Sequence, residues 1–274
     1  MNLDTRQRAM LEEMGIRVFR PESPWGLMDD APPSPPRGGE AAVPAAAAPV
    51  ARPSAGPTTP VRIAAPLTAR APAGEIAGMD WDALEQAVAS CQACGLCKTR
   101  KNTVFGVGHR QARWLIVGEA PGENEDLQGE PFVGQAGALL DNMLKALGLS
   151  RAAEGAQAAY IANVLKCRPP GNRNPQPEEV LQCEAYLRRQ VALLQPQVIL
   201  ALGRFAAQSL LQHSVPDVAT LPLGHLRGQV HQYEGVPVVV SYHPAYLLRT
   251  PQDKAKAWAD LCLARGLMQA GPAA

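Results

Sequence analysis

From Arg113 onward, short apolar runs alternate with longer stretches of helical spacing. Arg113–Gly118 (RWLIVG) has the pattern of a strand buried on both faces, closed by glycine. Ala136–Leu147 repeats apolar residues at helical spacing, and Ala159–Lys166 (AYIANVLK) predicts a second strand. A long helix over Pro177–Leu194 follows, then a third buried strand at Gln197–Gly203 and a helix at Arg204–Gln212. Leu226–Tyr233 and Val236–Tyr242 flank Glu234-Gly235 and predict a β-hairpin. A final helix covers Gln252–Met268, and upstream Asp80 has the character of an N-cap for a helix running to Ser90. Continuous apolar strands alternating with helices predict an α/β fold with three layers, αβα, around a mostly parallel central sheet. Ligands in such sheets bind beyond the carboxyl ends of the strands. Gly118–Gly122, Asn163–Pro170 and His243–Leu248 are placed there.

The first part of the chain has no such alternation. Residues 1–20 suit a short amphipathic helix with Met10, Leu11, Met14 and Ile16 as its apolar residues. Thirteen of the 26 prolines fall between Pro21 and Pro72. A Pro/Ala-rich stretch of this kind cannot bury enough apolar surface to offset its ordering entropy, so residues 21–78 are expected to be a disordered linker. The globular domain is expected over 79–270. The N-terminal helix would then be a peptide on a tether, available to a replication or repair protein.

Composition narrows the class only modestly. The 274 residues are 46% hydrophobic, enough for a sizeable core, and carry a net charge of +1. That balance neither requires nor excludes a nucleic-acid partner. No run has the length of a membrane-spanning helix, and Met1–Gly15 is charged and lacks the apolar core of a secretory leader. A cytoplasmic, monomeric protein with reduced thiols is expected. Six cysteines are too few for a disulfide scaffold at this length. Cys91-Gln-Ala-Cys94 is a C-x-x-C with Cys97 three residues on; Cys167 and Cys183 follow much later. Four thiolates suit a zinc ion or a [4Fe–4S] cluster. Spacing alone does not separate the two, exclude Cys97, or exclude coincidence. Cys262, alone in an apolar helix, reads as an ordinary buried residue.

Gly118-Glu-Ala-Pro-Gly122, with Glu125-Asp126 and Gly129-Glu-Pro-Phe-Val-Gly134, resembles the first active-site motif of the family 4 uracil-DNA glycosylases. Asn163-Val-Leu-Lys-Cys-Arg-Pro-Pro170 with Asn174-Pro175 resembles the second, and His243-Pro-Ala-Tyr-Leu-Leu-Arg249 the third. Their order and separation make the match far more specific than any one of them. The resemblance runs from about Cys91 to Leu267 and implies excision of uracil from DNA as the first step of base-excision repair, in a nucleoid-associated enzyme. It further implies a structural [4Fe–4S] cluster held by Cys91, Cys94, Cys167 and Cys183, with Cys97 outside the ligand set.

The chemistry implied for single residues agrees with their types. Base excision needs a flipped base, its recognition, and stabilisation of the departing charge. Phe132, after a Gly-Glu-Pro turn, suits a stacking platform; its bland reading is a core anchor. Asn163 ends an apolar strand, and its amide matches the O4 and N3–H of uracil but not cytosine; it could equally be a turn residue. His243 would donate to uracil O2 as a neutral imidazole. Leu247 corresponds to the wedge that enters the duplex; the alternative, a hydrophobic staple for the last helix, suits Leu248 better than Leu247. Arg249 and Lys166 are candidate phosphate contacts, or simply solvated charges. Ala120 stands where the best-known uracil-DNA glycosylases carry a water-positioning aspartate. Glu119, beside it, is carried as a catalytic pocket residue. Gly118 lines the same turn. Gly122 stands where other families use a tyrosine against the thymine methyl, and Glu125 is expected to fill that space.

Two alternatives remain. One is a relative that binds uracil-DNA covalently; the stretch Arg168–Pro177 lacks the histidine-bearing insertion of those proteins. The other is a non-catalytic iron–sulfur module acting through the N-terminal tail.

Overall fold

The computed structural model describes residues 73–270. The N-terminal helix and most of the linker expected from the sequence lie outside them. Six strands form one sheet in the order β1 (Val107–Gly108), β3 (Ala159–Asn163), β2 (Trp114–Gly118), β4 (Val198–Leu202), β6 (Val236–Ser241), β5 (Val230–Tyr233). The four central strands are parallel, and the short outer strands β1 and β5 pair antiparallel. Every residue of β2, β3 and β4 is buried, as the continuous apolar runs predict.

The helices cover both faces. On one face, α4 (Gly134–Ala146), α8 (Pro244–Arg249) and α9 (Lys254–Ala270) enclose a core that includes Ile116, Leu140, Met143, Leu200 and Leu261. On the other, α5 (Pro177–Leu194) and α6 (Arg204–Leu211) pack on Leu115, Val117, Ile199 and Val240. Two further helices, α3 (Glu123–Gln128) and α7 (Leu223–Leu226), lie in the connections. This is the expected three-layer α/β arrangement. Among the described residues no helix is long and apolar enough to cross a membrane.

Several local expectations are corrected. A helix α1 (Ala73–Gly78) lies inside the stretch assigned to linker and precedes α2 (Trp81–Ala89). Its Ile76 is buried with Leu84, Val88 and Tyr186, so packing that a Pro/Ala composition conceals draws the chain into the fold before Met79. The second strand stops at Asn163 rather than Lys166. The hairpin begins at Val230, because residues 223–226 form α7; Glu234 (φ 49°) and Gly235 (φ 79°) make its turn. Cys262 lies on the exposed side of α9 rather than in the core.

Candidate active site

A cleft of about 480 Å³ opens at the carboxyl ends of β2, β3 and β6. Glu119, Ala120, Gly122, Glu125, Phe132, Asn163, His243 and Arg249 line it, together with Pro169, Asn172, Arg173, Ala245 and Tyr246. Three segments far apart in sequence therefore converge, as parallel topology requires when each follows its own strand. The β2 and β3 backbones stay paired past the strands, with Val164 N–H donating to Gly118 (3.0 Å) and Leu165 N–H to Glu119 (3.0 Å). Gly118 sits beneath the floor: a Cβ there would lie 2.4 Å from Asn163 Oδ1 and 2.5 Å from Phe132 Cζ. Only glycine lets these two side chains meet over the end of β2.

Phe132 is 6% exposed and adopts a left-handed backbone conformation (φ 54°) that non-glycine residues seldom take. Its carbonyl accepts from Arg151 Nη2 (3.1 Å), whose Nη1 donates to Pro131 (2.8 Å) and whose Nε pairs with Asp141 (2.8 Å). Gly137 allows the close approach from below, since a Cβ there would stand 1.8 Å from the Phe132 oxygen. Arg151 was invisible to sequence reasoning, as it acts through backbone groups about twenty residues away.

Glu125 accepts from Gly122 N–H and Val133 N–H, both at 3.0 Å, one through each carboxylate oxygen. It thus staples the two halves of the first motif together while lining the cleft. The next residue, Asp126, is 2% exposed and accepts from the amides of Lys101 (2.9 Å) and Asn102 (3.3 Å). Glu119 is different: burial, with no hydrogen-bond or ion-pair partner among the described residues, pushes its carboxyl up to about 7.

Asn163 is 2% exposed, and no hydrogen bond among the described residues engages its side-chain amide. A buried, unpaired amide facing a cleft is poised for a ligand. His243 is the N-cap of α8, and its Nδ1 accepts from Ala245 N–H (3.2 Å). That contact places the proton of the neutral ring on Nε2. Burial, aided by nearby Arg249, pulls the imidazole down to about 4, so the ring is neutral at physiological pH.

Two expected positions are corrected. Lys166 is 1% exposed and cannot reach a DNA phosphate. Its Nζ donates instead to the Asn163 carbonyl (2.8 Å) and Gln190 Oε1 (2.7 Å), and burial lowers its amine to about 7. Leu247 is fully buried against the α9 side of the core. Helical rotation after His243 turns Pro244 and Leu247 inward and leaves Leu248 41% exposed beside Arg249, which is exposed at the cleft.

A second, smaller cavity is lined by Cys91, Cys94, Cys97, Cys167 and Cys183, with Arg100 and Lys166. The cysteines of the two distant segments therefore do meet, and Cys97 joins them. Arg100 Nη1 donates to Cys167 Sγ (3.0 Å) and its Nη2 to the Ala89 carbonyl (3.1 Å). Burial pushes the free thiols of Cys167 and Cys183 up to about 11 and about 12. Leu96, Leu165 and Ala120 pack around the cysteines, which puts this cavity directly behind the first motif.

Residues 105–262 match the Uracil DNA glycosylase superfamily. The chain is 47% identical over 175 residues to the type-4 uracil-DNA glycosylase of Archaeoglobus fulgidus, covering 62% of this chain and 84% of the relative. It is 41% identical over 189 residues to the type-4 enzyme of Pyrobaculum aerophilum, covering 68% and 93%. The type-5 uracil-DNA glycosylase of Thermus thermophilus is more distant, at 31% over 162 residues, covering 49% and 74%. With the three motifs gathered in one cleft and the cysteines behind them, the chain belongs to the uracil-DNA glycosylase superfamily, in its type-4 family.

Proposed function

We propose that this protein excises uracil from DNA by hydrolysing the N-glycosidic bond of a base flipped into the cleft. The observation that carries the reading is the meeting of a fixed aromatic ring, an unpaired buried amide and a neutral histidine: Phe132, Asn163 and His243. Phe132 offers an apolar face to the base. Asn163 can accept from N3–H and donate to O4, a pairing cytosine reverses. His243 Nε2–H donates to O2, where charge gathers as the bond breaks. The C1′–N1 bond breaks with its electron pair leaving on the uracil anion. A water oxygen bonds to C1′, and its proton passes to the Glu119 carboxylate, whose raised proton affinity suits that task. Arg249 lines the cleft and would meet phosphate, and the exposed Leu248 next to it in sequence would meet the vacated base stack.

The cysteines suit a [4Fe–4S] cluster: five of them, from the Cys91–Cys97 segment, the turn after β3 and α5, line one cavity, and cysteine thiolates are the ligands such a cluster takes. Thiols this buried ionise only beside positive charge, which a cluster supplies and Arg100 supplements. Cys91, Cys94, Cys167 and Cys183 would hold it. Its contribution is structural: it would pin the segment from Asn163 to Cys167. Brown protein with about four irons per chain is expected, retained in Cys97→Ala and lost in Cys167→Ala. Colourless protein with stoichiometric zinc would overturn the cluster while leaving the cleft as it is.

Incubating the full chain with a uracil-containing oligonucleotide, then alkali, tests the activity. Strand breaks at uracil support it. A gel-shifted adduct would mean covalent capture, and an untouched oligonucleotide would mean a binding module.

A further inference from the structure

The buried amine of Lys166 touches both sites. Its side chain lines the cysteine cavity, while its Nζ donates to the main-chain carbonyl of Asn163 on the cleft floor (2.8 Å). The second acceptor is Gln190 Oε1 (2.7 Å) on α5. Gln190 is fully buried too, and its Nε2 donates to the Phe105 carbonyl (2.9 Å). The Lys166 carbonyl accepts from Val104 N–H (2.8 Å). The turn after β3 is thus tied from inside to α5 and to the segment before β1. Both the charged and neutral forms of a lysine amine carry N–H donors, so these contacts do not depend on its protonation.

Burying a lysine is costly, and no carboxylate pairs with this one among the described residues. A methionine would fill the same space more cheaply. What the amine supplies is a donor to the Asn163 carbonyl, which is turned into the protein interior. Without it that oxygen is left unsatisfied, and the peptide after Asn163 is held only from its other side, by the Val164 N–H bond to the Gly118 carbonyl (3.0 Å). Among the described residues the side-chain amide of Asn163 makes no hydrogen bond of its own to hold it, so its aim depends on its backbone.

We infer that Lys166 and Gln190 are positioning residues, which fix the Asn163 peptide and through it the amide that reads the flipped base. This rests on the reading of Asn163 as the base-recognising residue. It gives Lys166 a part in recognition although it never meets DNA. A misplacement of about 1 Å in such a group can cost roughly 100-fold in rate.

Lys166→Met, Gln190→Leu and Asn163→Ala in the full chain test the inference. Melting temperature, iron content, KM for a single-stranded uracil oligonucleotide and the single-turnover excision rate are measured for each. Lys166→Met is expected to keep KM within about twofold of wild type while its rate per folded molecule falls roughly 10- to 100-fold. Gln190→Leu should fall less, in the same parameter. A purely structural role would instead lower the melting temperature and leave the rate per folded molecule unchanged, and that result in Lys166→Met overturns the inference. If Lys166→Met does not fold, Gln190→Leu decides: a lower rate at unchanged KM supports the pair, and a wild-type rate overturns it. Full activity in Asn163→Ala would sink the reading of the pocket itself, separately from the positioning of that residue.

Discussion

The rings of Phe132 and His243 lie stacked, 5.3 Å between centroids and 28° between planes. They stand more than a hundred residues apart in the chain, and each is fixed by its own backbone: Phe132 by a left-handed residue clamped by Arg151, His243 by its place as the N-cap of α8. The arrangement is therefore set before a base arrives. Replacing Phe132 by alanine should lower kcat/KM for uracil excision about 5- to 150-fold, the value of one base–aromatic stack of roughly 1–3 kcal/mol. A rate within twofold of wild type would return Phe132 to the role of a core anchor.

His243→Ala should slow the single-turnover step by roughly 100- to 1000-fold, the usual value of one donor to a developing anion. DNA affinity should hardly change. The imidazole titrates near 4, so it stays neutral over pH 5–8 and should add no inflection there. An inflection in that range that vanishes in His243→Ala would show that the charged ring takes part.

Glu119 predicts the opposite behaviour. Its carboxyl titrates near 7, raised by burial, so it is protonated below and ionised above that pH. If the ionised form takes the proton from water, excision should rise with pH through about 7 and level off. Glu119→Gln should remove that rise and leave a low, flat profile. An unchanged pH profile in Glu119→Gln would assign the water to another group.

Leu247 and Leu248 separate packing from DNA contact. Leu247→Ala removes a fully buried side chain and should cost about 2–5 kcal/mol of stability, read as a lower melting temperature. Leu248→Ala should leave stability within about 0.5 kcal/mol. It should slow excision on duplex DNA more than on single strands, where no pair needs opening. Equal rates on both substrates in Leu248→Ala would remove it from base flipping.

Ile76 sets where the chain can be shortened. Removing residues 1–72 should leave excision on short oligonucleotides intact. Removing 1–78 takes away a buried isoleucine and should lower the melting temperature measurably. Identical stability of the two truncations would make α1 an incidental turn.

Much of this molecule is legible in the order of its residues. Apolar runs such as Trp114–Val117 and Val198–Leu202 can be buried only on both faces, so parallel strands between helix layers follow from composition and periodicity. Asn163, the last residue of β3, and His243, just past β6, stand out only through the motifs around them, since position alone fits a capping asparagine and a structural histidine as well. Three-dimensional packing settled what pattern alone leaves open. Lys166 and Leu247 read as surface contacts in sequence, yet a short turn and the rotation of a six-residue helix carry both inward and bring Leu248 outward. Arg151 and Gln190 had no signal at all, since their partners are backbone groups or side chains far along the chain. The ionisation of Glu119 and His243 likewise depends on burial, which is a sum over neighbours from every strand and not a property of any one segment.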